Sequence, residues 1–158
     1  MNDDTLIFQI IFIIVYGLSG LCAGSFASAI IYREKSNLPW FKLGGPSSRS
    51  ACPSCGTTLG FRDLVPVISW LSTKGRCRHC TGAILAFYPL IELLCAFCAI
   101  MVFLWSGISI VSVTFLFCLP FLVSIIYLGV FQRRFSFRLV IIVGVIGLLA
   151  FGLQLGFN

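Results

Sequence analysis

Residues 6–32 read LIFQIIFIIVYGLSGLCAGSFASAIIY, a run without a single charged side chain. Crossing the hydrocarbon of a bilayer takes roughly 20 helical residues, so this stretch is long enough to span and too apolar to remain in water. Three further stretches reach spanning length, at about 84–105, 108–131 and 139–157, with Gly107 at the short turn between the second and third. Of the 158 residues, 59% are hydrophobic and 10% charged, and the mean hydropathy is +1.05. Soluble domains run about 45–50% apolar and about 25% charged. The sequence therefore implies an all-α integral membrane protein of about four transmembrane helices. It divides into a first helix (1–32), a polar loop (33–83) and three more helices (84–158). These numbers exclude a disordered chain, a secreted disulfide scaffold and a conventional soluble enzyme.

The basic residues set an orientation. Eight of the eleven, Arg33, Lys35, Lys42, Arg49, Arg62, Lys74, Arg76 and Arg78, fall between the first and second spans. The other three, Arg133, Arg134 and Arg138, fall between the third and fourth. Under the positive-inside rule both basic segments are expected in the cytoplasm and both termini outside. Asp3 and Asp4 stand where a signal peptide would be basic, so the first span is expected to be an uncleaved helix. Along it Gly20, Gly24 and Ser28 recur every four residues, a small-residue face suited to close helix packing.

The polar loop holds Cys52-Pro53-Ser54-Cys55 and Cys77-Arg78-His79-Cys80, a C-x2-C-x21-C-x2-C pattern. A two-residue gap lets a tight turn aim two thiolates at one metal, and two such turns complete a tetrahedron about Zn2+. Thiols in the cytoplasm stay reduced, which favours metal over disulfides. Lys74, Arg76 and Arg78 offset the net −2 of a four-thiolate zinc. Cys52, Cys55, Cys77 and Cys80 are thus expected to hold a structural zinc in a zinc-ribbon-like loop, with redox pairs or unliganded thiols as the alternatives. His79 is expected to stay outside the ligand set, and Cys22, Cys95, Cys98 and Cys118 to act as small apolar side chains. The loop's charge is spread out and flush with an anionic leaflet, so membrane lipid accounts for it without nucleic acid.

Among the five acidic residues only Glu92 lies inside a span. A carboxylate there is costly and is a functional candidate by default; the other account is a structural bond to the loop. No phosphate-binding glycine loop, serine-hydrolase elbow or His-Glu-x-x-His pattern occurs.

Taken in order, Gly24-Ser25-Phe26, Arg33, Cys52-Pro53-x-Cys55, Asp63-x-x-Pro66, Ser69-Trp70, Gly75-Arg76-Cys77-Arg78-x-Cys80, Ile84, Tyr88-Pro89 and Glu92 resemble the N-terminal domain of bacterial type IV prepilin peptidases. The resemblance is close over about 20–93. It implies an inner-membrane protein acting on prepilins or on the pseudopilins of type II secretion, and a methyl transfer from S-adenosylmethionine to the new N-terminus. For such an activity Gly75, Arg76 and Glu92 are the expected catalytic residues. The family's cleavage, however, uses two membrane aspartates. Gly129 stands at the first position, and the chain reaches Asn158 before the second. Ser28 and Leu85 replace an Asn and a Ser usual in the family. An aspartic dyad works because two carboxylates share a proton, so the chain is not expected to cleave alone. The alternatives are a non-enzymatic zinc-ribbon scaffold, or half of a split peptidase whose aspartates come from a separate chain.

Overall fold

Close approach of two helix backbones organises the structure. In the computed structural model, which describes residues 3–38 and 49–156, α1 (Asp3–Lys35) lies against α3 (Phe87–Ser106). A Cβ on Gly24 would come within 2.5 Å of Glu92 Cα, and one on Gly20 within 2.6 Å of Ala96 Cα. The small-residue face seen in the sequence is thus a packing face, where only hydrogen side chains let the axes come so near. Residues 39–48, Lys42 among them, and the outermost residues 1, 2, 157 and 158 lie outside the described residues.

Helix α1 carries Asp3 and Asp4 in its first turn and Arg33 and Lys35 in its last. Both placements complement the helix dipole, so the helix runs past Tyr32, where the apolar run ends. Helix α4 (Ile110–Gln132) starts at a Ser109–Ser112 capping box. It ends at Arg133, in the left-handed region at φ 48°. Helix α5 (Phe137–Gly156) follows. All four long helices are apolar and long enough to cross a membrane. Residues Ala27, Ile31, Ile91, Cys95, Ala99 and Leu119 of α1, α3 and α4 form the main core. Ile30, Leu128 and Leu139 form a second one at the ends of α1, α4 and α5. Tyr16 and Ser112 share a buried hydroxyl–hydroxyl bond of 2.8 Å between α1 and α4. In membranes such bonds contribute about 0.6 kcal/mol on average.

Between α1 and α3 the chain leaves the bundle. It forms a 3-10 turn (Phe61–Asp63) and one short helix, α2 (Ile68–Ser72). Among the described residues there is no β-strand, only two isolated antiparallel bridges, Ala51–Thr58 and Arg76–Ala83. Each bridge closes one Cys-x-x-Cys turn.

Candidate metal centre and the cavity beneath it

The two turns are built alike at a constant offset of 25 positions. In the first, Cys52 N–H donates to Thr57 O (2.9 Å), Gly56 N–H to Cys52 O (2.9 Å) and Leu59 N–H to Ser50 O (2.8 Å). In the second, Cys77 N–H donates to Gly82 O (2.9 Å), Thr81 N–H to Cys77 O (3.0 Å) and Ile84 N–H to Gly75 O (2.7 Å). The residue after each second cysteine has positive φ, 70° at Gly56 and 59° at Thr81. Glycine adopts this without cost, whereas a threonine there is strained. Ile84, counted with the second span by hydropathy, is held by this pairing and lies outside α3.

The turns bring Cys52, Cys55, Cys77 and Cys80 together, with all four Sγ atoms within 4.8 Å of one another. The Sγ atoms of Cys52 and Cys80 are 3.9 Å apart, against an edge of about 3.8 Å for a tetrahedron with Zn–S near 2.3 Å. The donor set and spacing fit a divalent, thiophilic ion such as zinc. Protons alone leave the sulfurs unequal. The hydroxyl and then the backbone N–H of Thr57 bring Cys55 down to about 6. The His79 and Cys80 N–H groups lower Cys77. For Cys80 the Gly82 N–H pulls downward, but its thiol neighbours, Cys55 first, and burial together push it up to about 11. A cation at the centre would remove that inequality, because metal binding favours thiolate at every ligand. His79 contributes only its backbone N–H, to Cys77 Sγ at 3.4 Å; its side chain is exposed.

Three contacts order this module, and the first of them seats it on the membrane helices. The Glu92 carboxylate accepts the Val67 N–H at 2.7 Å. Val67 has φ 60° and ψ −49°, and Ile68 N–H bonds back to Pro66 O at 2.5 Å. This is a γ-turn of the rare positive-φ kind, strained for a β-branched residue. Glu92 takes the N–H that this turn directs toward α3. Asp63 accepts the Gly60 N–H (3.0 Å) and pairs with Arg78 (3.0 Å). Arg78 in turn donates to Ser72 (3.1 Å). Trp70 donates its indole N–H to Ile84 O (3.0 Å) and lies over Gly75, where a Cβ would sit 2.8 Å from the ring. Gly75, at φ 69°, is doubly restricted to glycine.

The expected catalytic residues therefore fall in different surroundings. Gly75 is buried beneath Trp70, Glu92 is buried at the α1–α3 crossing, and Arg76 is exposed beside the second turn. Arg76 and Glu92 both line a cavity of about 420 Å³ enclosed by the two turns and the adjoining ends of α1 and α3. Val67 and Trp70 are structural determinants that motif spacing did not assign. The signal for Trp70 was present, a tryptophan five residues before a glycine. A positive φ at Val67 leaves no mark in sequence.

Gly129 is exposed on α4, with no atom within 4 Å of where a Cβ would stand. No residue from 93 to 158 is acidic.

Known proteins match this arrangement in one half of the chain. Residues 18–106 match the bacterial peptidase A24 N-terminal domain. The chain is 39% identical over 92 residues to the type 4 prepilin-like proteins leader peptide-processing enzyme of Escherichia coli O78:H11, covering 50% of this chain and 34% of that one. It is 34% identical over 88 residues to the prepilin leader peptidase/N-methyltransferase of Vibrio cholerae, covering 54% and 35%. With the Dichelobacter nodosus protein of the same name it shares 36% identity over 110 residues, covering 54% and 38%. The chain thus spans little more than a third of the length of these relatives. No solved structure matches it.

Proposed function

The chain belongs to the family of the bacterial peptidase A24 N-terminal domain, and on that premise we propose that it is a prepilin-peptidase-like inner-membrane protein. It engages prepilins or pseudopilins through its metal-stabilised module but does not cut them by itself. The observation that carries this is the convergence of the matched motifs on one seat. Gly24 admits the Glu92 backbone, Glu92 holds Val67, Asp63 holds Arg78, and Trp70 covers Gly75. A module kept in such working order supports a retained role. Cleavage has no such support: Gly129 offers no carboxylate, and Glu92, the one acid within an apolar stretch, is occupied by Val67.

In this reading Cys52, Cys55, Cys77 and Cys80 hold zinc, which acts as a cross-link between the two turns. Gly75 and Glu92 position the module, and Arg76 faces the cavity. S-adenosylmethionine, when bound, would supply a methyl group for the trimmed pilin. Both basic segments, 33–83 and 133–138, belong to the same end of an up-down bundle. This supports a cytoplasmic module and outward termini.

The test is a mass spectrum of intact prepilin, and of pilin already trimmed of its leader, after incubation with the purified protein, zinc and S-adenosylmethionine. A methyl added to the trimmed pilin with no leader loss supports the proposal. Leader loss from intact prepilin overturns the non-cleaving assignment.

A second reading, a partner half of a split peptidase or a scaffold, is favoured by the free faces of α4 and α5. Gly129, Gly144, Gly147 and Gly152 all open onto unfilled space. It requires leader loss to occur only when a second membrane chain carrying the acids is co-expressed.

A further inference from the structure

The cavity between the two cysteine turns and the ends of α1 and α3 has an excess of positive charge. Arg33, Arg49, Arg76 and Arg78 line it, against Asp63 and Glu92. Both acids are engaged within the fold, Asp63 by Arg78 and the Gly60 N–H, and Glu92 by the Val67 N–H. Arg78 is taken up by Asp63 and Ser72. Arg33 is engaged as well, which leaves Arg49 and Arg76 with no acidic partner among the described residues. The sulfurs do not occupy them either. Cys77 Sγ accepts the His79 N–H, and Cys55 Sγ lies 3.3 Å from the Thr57 hydroxyl. Neither Arg49 nor Arg76 hydrogen-bonds a sulfur among the described residues.

The remaining wall is amphipathic. Tyr32 and Tyr88 line the cavity where α1 and α3 leave their apolar stretches, and Leu38, Leu64 and Leu85 add apolar surface. Tyrosine at this level suits the boundary between hydrocarbon and water. About 420 Å³ is far more than one phosphate group fills and lies in the range of sites for larger ligands. Two unpaired guanidinium groups above an apolar, tyrosine-flanked wall match a molecule with a phosphate at one end and hydrocarbon at the other. Arginine binds phosphate oxygens through paired N–H donors, and basic pockets at the ends of membrane helices take lipid headgroups.

We infer that this cavity binds the phosphate headgroup of an anionic membrane phospholipid, with Arg49 and Arg76 as its phosphate ligands. The inference stands independently of any activity on pilins.

It is tested by native mass spectrometry of the full chain in detergent, titrated with phosphatidylglycerol or phosphatidylcholine. Two double variants are compared, Arg49→Gln with Arg76→Gln, and Arg134→Gln with Arg138→Gln. They remove equal charge from the cavity and from the α4–α5 end, and zinc content is measured on each. The wild-type chain and the α4–α5 pair should retain phosphatidylglycerol over phosphatidylcholine, while the cavity pair should lose it by roughly thirtyfold. If the cavity pair loses zinc, Arg49→Gln alone carries the test, with a loss of roughly fivefold. Equal loss in both pairs would mean diffuse surface charge and overturn the site, as would undiminished binding in the cavity variants. Displacement of the lipid by inorganic phosphate alone would assign the cavity to a small anion and overturn the lipid reading.

Discussion

Helices α3 and α5 are almost equally apolar, with mean hydropathy 2.3 and 2.2 in their most apolar stretches, yet 39% of that stretch is buried in α3 and 6% in α5. Hydropathy reports what a helix can dissolve in; burial reports what it packs against. Helix α3 meets Gly20 and Gly24 of α1 backbone to backbone and carries the glutamate that anchors the four-cysteine module. Helix α5 touches the bundle mainly along α4, and Gly144, Gly147 and Gly152 face open space. The two halves differ in polar cross-links and small-residue contacts, the terms that hold helices together when lipid is as apolar as they are.

The largest effect expected is on the module that α3 supports. Cys52→Ser should lose the metal and with it the order of the loop, since structural zinc contributes roughly 10–16 kcal/mol to small sites of this kind. An unchanged zinc-to-protein ratio, read by elemental mass spectrometry, would break the four-cysteine assignment. Next comes the seam itself. Gly24→Leu forces a side chain into the Glu92 backbone and should cost about 3 kcal/mol, seen as a large drop in thermal unfolding temperature in detergent. A tolerated Gly24→Leu would show that the α1–α3 approach is looser than described.

Glu92→Ala should cost about 1–3 kcal/mol by orphaning the Val67 N–H, while Glu92→Gln, which keeps an acceptor, should cost less. Accelerated hydrogen exchange at 66–72 in Glu92→Ala alone would separate anchoring from helix packing. For the metal, ligands must be deprotonated, so falling pH adds competing protons and weakens binding. The decline should steepen below about 6, where even Cys55 takes up its proton. A chelator competition series that is flat through this range would argue against thiolate ligation. The smallest effect belongs to α5: Gly147→Leu meets no neighbour and should change stability by no more than about 0.5 kcal/mol. A large loss there would reveal a contact partner for that face.

Much of this layout was legible beforehand, for identifiable reasons. An uncharged run of spanning length has few fates, and a Cys-x-x-Cys turn closes on itself through local hydrogen bonds, so both could be read from spacing. The α1–α3 packing face was visible because small residues recur at a helical period. The ends of helices were less visible. Helix α1 continues through Arg33 because the dipole favours a cation there, and Ile84 leaves α3 because Gly75 and Trp70 hold it.

Glu92 shows where local reading stops. Its rarity within an apolar helix marked it, but its position was compatible with both a functional acid and a structural bond, the latter the weightier. Only the fold brings Val67, 25 residues earlier, to within 2.7 Å.

The sequence by itself determined the membrane class, the number of spans, the cysteine quartet and the family. Each of these depends on composition or on residues close enough along the chain to act through local geometry. Tertiary structure decided which apolar helix is packed and which faces outward, that Gly75 lies under Trp70, and that Arg49 and Arg76 meet at one cavity. Those outcomes depend on distances between segments far apart in the chain, where packing and hydrogen-bond satisfaction choose among arrangements that hydropathy leaves equal.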